Sequence, residues 1–173
     1  MTKPFGWLIL PWFVTAALGA SCQNVGELVK HDHMNLGVRF ESRNPEIVRE
    51  FKHALNFWSK ILDMEWHEDP TSTCSIDLID GLPDGTAQML VHDKAVGVGM
   101  RSSGIVAIDD RYQLAESEWY AIAAHELGHL FGLQHNSSPN SVMYYIHLRG
   151  DEILDSTDIA PLSARHRMRI SLY

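Results

Sequence analysis

His125-Glu126-Leu127-Gly128-His129-Leu130-Phe131-Gly132-Leu133-Gln134-His135 is the stretch on which the reading of this chain turns. On an α-helix, at about 3.6 residues per turn, His125 and His129 lie one turn apart and project from one face. Two imidazoles at that spacing can share one tetrahedral metal ion without distorting the backbone. Glu126 is rotated away from the pair, toward a water on the metal and not toward the metal itself. Gly132 can take the left-handed conformation that ends a helix and turns the chain sharply back. That reversal returns His135 as a third nitrogen donor. The fourth position of a tetrahedral zinc then stays open, the arrangement of a catalytic site and not of a closed structural one. A buried helix with merely satisfied histidines would have to meet this geometry by accident.

Working outward, Ser117 reads as the N-cap of this helix, with Glu118 favourable in its first turn, so the helix is expected over about 118–132. A second helix is expected at 45–62. Asn44 caps it, Pro45 takes its first position, and Ile47, Phe51, Ala54, Leu55, Trp58, Ile61 and Leu62 form one apolar stripe. Leu36, Val38 and Phe40 alternate with Gly37 and Arg39, the period of a half-buried strand. Residues 64–67 form a short strand, and Ile76 and Leu78 mark another whose acids, Asp77 and Asp80, point to a solvated face. Short apolar runs follow at 87–92, 95–100 and 105–108, after a loop at 81–85. The fold class is α+β: a small mixed sheet of about five strands with two long helices packed on it, then a last helix that Pro161 kinks or restarts. The basic run Arg165, His166, Arg167 and Arg169 reads as the solvated end of that helix.

The chain has 173 residues, 45% of them hydrophobic, which suits one domain. Lys+Arg 14 against Asp+Glu 22 leaves a formal charge of −8, which argues against a nucleic-acid binder. Residues 1–21 read as an export signal: Lys3, a largely apolar run over 5–18 broken by Pro11, and small residues at Gly19, Ala20 and Ser21. The run falls short of the roughly 20 residues that span a bilayer. Residues 22–33 form a flexible lead-in and 34–173 the folded domain. Leu18-Gly19-Ala20-Ser21-Cys22 also resembles a bacterial lipobox, so two routes stay open. Either Cys22 is a lipid anchor, or it pairs with Cys74 in an oxidising compartment. Both routes place the protein outside the cytoplasm, secreted or in the cell envelope.

With Ser141-Val142-Met143-Tyr144-Tyr145 the resemblance to a known family becomes specific. HExxHxxGxxH followed by a Met-turn resembles the metzincin zinc peptidases. Met143 follows His135 by eight residues, a short spacing similar to that of the matrixins, the family of the matrix metalloproteinases. The strand at 36–40, the helix at 45–62, the strand at 75–79 and Leu154-Asp155-Ser156-Thr157-Asp158-Ile159 fall in matrixin order. The resemblance implies a metzincin-like fold and a monomeric zinc-dependent endopeptidase acting on peptides or proteins. It implies one catalytic zinc held by His125, His129 and His135, and Glu126 as the base that takes a proton from the zinc-bound water. Met143 becomes an apolar floor, and Tyr145 a pocket wall or a transition-state donor. Substrate is implied to lie antiparallel to an edge strand at 95–100.

The departures are specific as well. Asn136 stands where matrixins usually carry Ser. Tyr145 in this turn is also similar to astacins. Only His92 and Asp93 are candidates for the second, structural zinc of many matrixins, so none is expected, nor is a cysteine-bearing prodomain. Asp77, Asp80, Asp84 and Asp93 offer calcium as a further reading beside that of solvated acidic loops. His147 reads as a solvated loop residue. The sequon Asn136-Ser137-Ser138 lies too near the third histidine to favour a sugar.

Overall fold

In the computed structural model, which describes residues 33–71, 73–82, 97–100, 103–144 and 154–169, strand β1 (Met34–Phe40) leads into helix α1 (Pro45–Ile61). Strands β2 (Met64–Glu68), β3 (Ile76–Asp80), β4 (Gly97–Met100) and β5 (Ile105–Ile108) follow, then helices α2 (Glu116–Leu130) and α3 (Ser156–Ser163). The start of α1 matches its sequence signals. Asn44 Oδ1 accepts from the N–H groups of Glu46 at 3.0 Å and Ile47 at 3.4 Å, and Pro45 takes the first turn, where no donor is needed. Its inward face buries Ile47, Phe51, Ala54, Leu55, Trp58 and Ile61. Each large apolar side chain so buried contributes about 1.5–3 kcal/mol.

The strands form one mixed sheet in the order β2-β1-β3-β5-β4. β1 pairs parallel with β2 and β3, and β3 pairs parallel with β5; β4 runs antiparallel to β5 and is the outermost strand on that side among the described residues. The run expected at 87–92 lies outside the described residues. Three expectations need correction. Asp77 does not face solvent: it is buried and ion-paired with Arg39, its cross-strand partner on β1. β3 is an interior strand, and a buried carboxylate there is paired by a cation in register beside it.

Ser117 does not cap α2. The helix starts at Glu116, with Ala115 as the N-cap residue, and the Glu118 carboxylate reaches back to accept from the Ala115 N–H at 2.7 Å. A charged acceptor three residues on makes the stronger bond, so it sets the boundary.

The basic run is not a simple helix end either, although Arg165, Arg167 and Arg169 are exposed as expected. α3 continues through Pro161 to Ser163, and the chain beyond it folds back under α2. His166 is buried, with its Nε2 2.8 Å from the Phe131 carbonyl oxygen, and Arg165 donates to the Gly132 carbonyl at 2.9 Å. The acceptors left over at the end of α2 draw these donors in. Among the described residues no helix is long and apolar enough to cross a membrane.

Candidate metal centre

α2 is buried on nearly every side: Trp119, Ile122, Ala123, Ala124, Leu127 and Leu130 all lie in the core. A helix apolar all round belongs in an interior, where packing fixes its side chains. Trp58 of α1 locks it further, donating its indole N–H to the Ala124 carbonyl at 3.0 Å. Gly128 sits between the two histidines of the helix. A Cβ there would stand 2.5 Å from Met143 Sδ and 3.3 Å from Trp58 Cζ2. Glycine inside a helix costs about 1 kcal/mol against alanine; here its missing side chain makes room for the Met-turn.

The three histidines of the motif come together. His135 Nε2 lies 3.1 Å from His125 Nε2 and 3.1 Å from His129 Nε2, and the ligand-capable atoms of all three fall within 4.8 Å of one another. The reversal that delivers His135 runs through Gly132, at φ 92°, and is clamped by Leu133 N–H donating to the Gly128 carbonyl at 2.9 Å. The outer nitrogens are fixed by carbonyls. His125 Nδ1 donates to Val142 O at 2.7 Å, and His129 Nδ1 to Leu133 O at 3.1 Å. A carbonyl only accepts, so both Nδ1 atoms carry the proton and both Nε2 atoms present a lone pair. His135 can donate to one of them at most.

Converging lone pairs call for a cation. Zinc binds imidazole nitrogen at about 2.0–2.1 Å in tetrahedral geometry, which sets ligand nitrogens roughly 3.3 Å apart. The three residues fit that ion. Burial, with His129 and His135 close by, pushes His125 down to about 3 against the opposing Val142 carbonyl. Burial also lowers His129 and His135. All three rings are neutral at physiological pH, the state a metal needs.

Glu126 is not one of the converging donors. It is buried and faces β4, and burial pushes its carboxyl up to about 8, while the Gly99 N–H pulls the other way. Met143 is fully buried under α2. Its turn is closed by Tyr144 N–H donating to Ser141 O at 3.0 Å and Asn136 N–H donating to Met143 O at 3.1 Å. Ser141 Oγ accepts from Met143 N–H at 2.9 Å and donates to the buried Asp158 carboxylate of α3. Asn136 Nδ2 donates to Asp158 Oδ1 at 2.8 Å and to Ser141 Oγ at 2.7 Å. The residue that departs from the matrixin pattern therefore ties the third-histidine loop to both the Met-turn and α3, and the sequon's amide nitrogen is engaged.

Tyr145, His147, His92, Asp93, Asp84 and Cys22 lie outside the described residues. Of the calcium candidates, Asp77 is held by Arg39, and Asp80 accepts from the Arg43 N–H at 2.7 Å. Among the described residues the histidine triad is the one group of three or more metal-capable side chains. Sequence reading missed Asp158, Gly128, Gly97 and Gly99. The glycines left a signal: inside a helix or strand they mark a close approach of another group. Asp158 left none, because an acid in the first turn of a helix is usually a solvated partner of the dipole.

The family model for matrixins matches residues 39–164. Matrilysin from Homo sapiens is 32% identical over 109 residues, covering 57% of this chain and 41% of that protein. Interstitial collagenase from Sus scrofa is 28% identical over 150 residues, 77% of this chain and 32% of the relative. Matrix metalloproteinase-16 from Mus musculus is 23% identical over 151 residues, 73% and 25%. The chain thus spans between a quarter and about two fifths of these relatives' length. The match runs from β1 to the end of α3 and holds the histidine helix, its glycine reversal and the Met-turn, so the chain belongs to the matrixin family.

Proposed function

We propose that the protein is a zinc-dependent metalloendopeptidase that hydrolyses peptide bonds in peptide or protein substrates and acts as a monomer. The observation that carries this reading is the convergence of three neutral imidazole nitrogens beside a buried glutamate that is not one of them. His125, His129 and His135 hold the ion, one per chain. When bound, zinc supplies Lewis acidity: it acidifies water toward neutrality and polarises a carbonyl. Glu126 takes the proton of the attacking water and returns it to the leaving amine. To accept that proton Glu126 has to start as the carboxylate, the form that the Gly99 N–H and the charge of a bound ion favour against the effect of burial. Met143 gives the rings an apolar floor, and Tyr145 lines the pocket or donates to the transition state. β4 offers the sheet edge along which an extended substrate adds as a further strand.

Residues 1–21 act as an export signal ahead of a lead-in at 22–33 and the catalytic domain at 34–173. Cys74 is disulfide-bonded, which supports an oxidising, extracytoplasmic location and favours Cys22–Cys74 pairing over lipidation of Cys22.

The test is Glu126→Gln. The variant should keep one zinc per chain and lose about 10²–10⁴-fold in kcat. A zinc-replete wild type that cleaves no peptide overturns the peptidase reading. Equal cleavage by both forms overturns the role of Glu126.

A further inference from the structure

The edge strand β4 meets α2 at two glycines. A Cβ on Gly97 would stand 3.0 Å from both Cγ and Oε1 of Glu126, and 3.0 Å from Ile122 Cγ2. A Cβ on Gly99 would stand 2.4 Å from the main-chain oxygen of Glu126 and 3.3 Å from its Oε2. Residues two apart on a strand share a face, so both glycines turn the same bare side of β4 toward the helix. The Gly99 N–H also donates to the Glu126 carboxylate. Glycine weakens a strand, and two in a four-residue edge strand are a liability unless something occupies the space they leave. Here Glu126 occupies it.

We propose that Gly97 and Gly99 are positioning residues for Glu126, the bare backbone of β4 forming a seat that holds this carboxylate between α2 and the strand on which substrate lies. The inference rests on the reading of Glu126 as the base. Its functional content is that one element sets both the place of the base and the line of the peptide. The two glycines do this differently. Gly97 clears space for the Glu126 side chain, whereas Gly99 lets the strand approach the main chain of α2 and aims a donor at the carboxylate.

The difference makes the test specific. It uses the full chain, zinc-loaded for kinetics and chelator-treated for melting. Gly97→Ala should lower kcat on the order of 10–100-fold with KM within about threefold and zinc content unchanged, as expected when a base is displaced and binding is not. Ile76→Val, a core change on β3, should lower Tm while leaving kcat at the assay temperature unchanged, which separates displacement from general loosening. In metal-free protein Gly97→Ala should lower Tm by roughly 3–10 °C. That loss should shrink by at least half when Glu126→Ala is also present, because two of the three close atoms, Glu126 Cγ and Oε1, are gone while Ile122 Cγ2 stays. The Tm loss of Gly99→Ala should persist in the Glu126→Ala background, since its obstruction is a main-chain oxygen.

If Gly97→Ala does not fold alone but folds together with Glu126→Ala, the seat is supported. The same Tm loss for Gly97→Ala in both backgrounds, or a rise in KM with unchanged kcat, overturns the proposal. An inactive zinc-loaded wild type overturns the peptidase reading instead, and the melting cycle then decides the seat on its own.

Discussion

His125 and Glu126 are neighbours in the chain, and burial moves them in opposite directions. In metal-free protein this has a consequence for stability. Glu126 lies near 8 when folded against an ordinary 4.5, so between those values the folded state binds more protons than the unfolded one. Stability therefore falls as pH rises from 4.5 to 8. His125 lies near 3 against 6.5, so there the unfolded state binds more protons, and stability falls as pH drops from 6.5 to 3. His129 and His135, also lowered, add to this acid limb. The slopes oppose each other between 4.5 and 6.5, and the Tm maximum of chelator-treated protein is expected in that window. Glu126→Gln should abolish the decline between pH 6.5 and 8 and leave the acid limb in place. An unchanged alkaline decline in that variant would show that another group drives it.

At the scale of elements, the Met-turn and the third-histidine loop are held by one carboxylate of α3. Asp158 accepts from the Ser141 hydroxyl, from Asn136 Nδ2 and from the Asp155 N–H at 3.1 Å. An amide in its place turns a donor toward donors. Asp158→Asn should therefore cost about 1–3 kcal/mol, a Tm fall of roughly 3–10 °C, and it should weaken zinc binding through the freed His135 loop. Asn136→Ala removes three bonds, two donated by Nδ2 and one accepted by Oδ1 from the Ser138 N–H, but at a half-buried site where water can replace them, and should cost less. Melting and zinc titration of both variants check the order. α1 was legible because its cap, its proline and its apolar stripe are all local signals that agree. The start of α2 was legible to within two residues, since Ser117 and Glu118 compete for the cap and only their reach decides between them. The docking of Arg165 and His166 was missed because their partners, the Gly132 and Phe131 carbonyls, lie more than thirty residues away in sequence.

For the whole molecule, a ligand that binds only the folded chain stabilises it by RT ln(1 + [L]/Kd), about 2.7 kcal/mol at a hundredfold excess over Kd. Zinc added to chelator-treated protein should raise Tm, and the binding isotherm should level at one equivalent. A second tight equivalent would point to a further site beyond the histidine triad.

What the sequence determined by itself is the chemistry at helical spacing. His125, His129 and the Gly132 reversal that returns His135 are separated by ten residues or fewer, and the α-helix converts such spacings directly into geometry. Only the tertiary structure decided which groups surround that chemistry. Arg39 against Asp77, Asp158 beneath the Met-turn, and two glycines of β4 against Glu126 are meetings of distant segments. Their partners are chosen by sheet order and by the close packing of the interior, and no local periodicity encodes either.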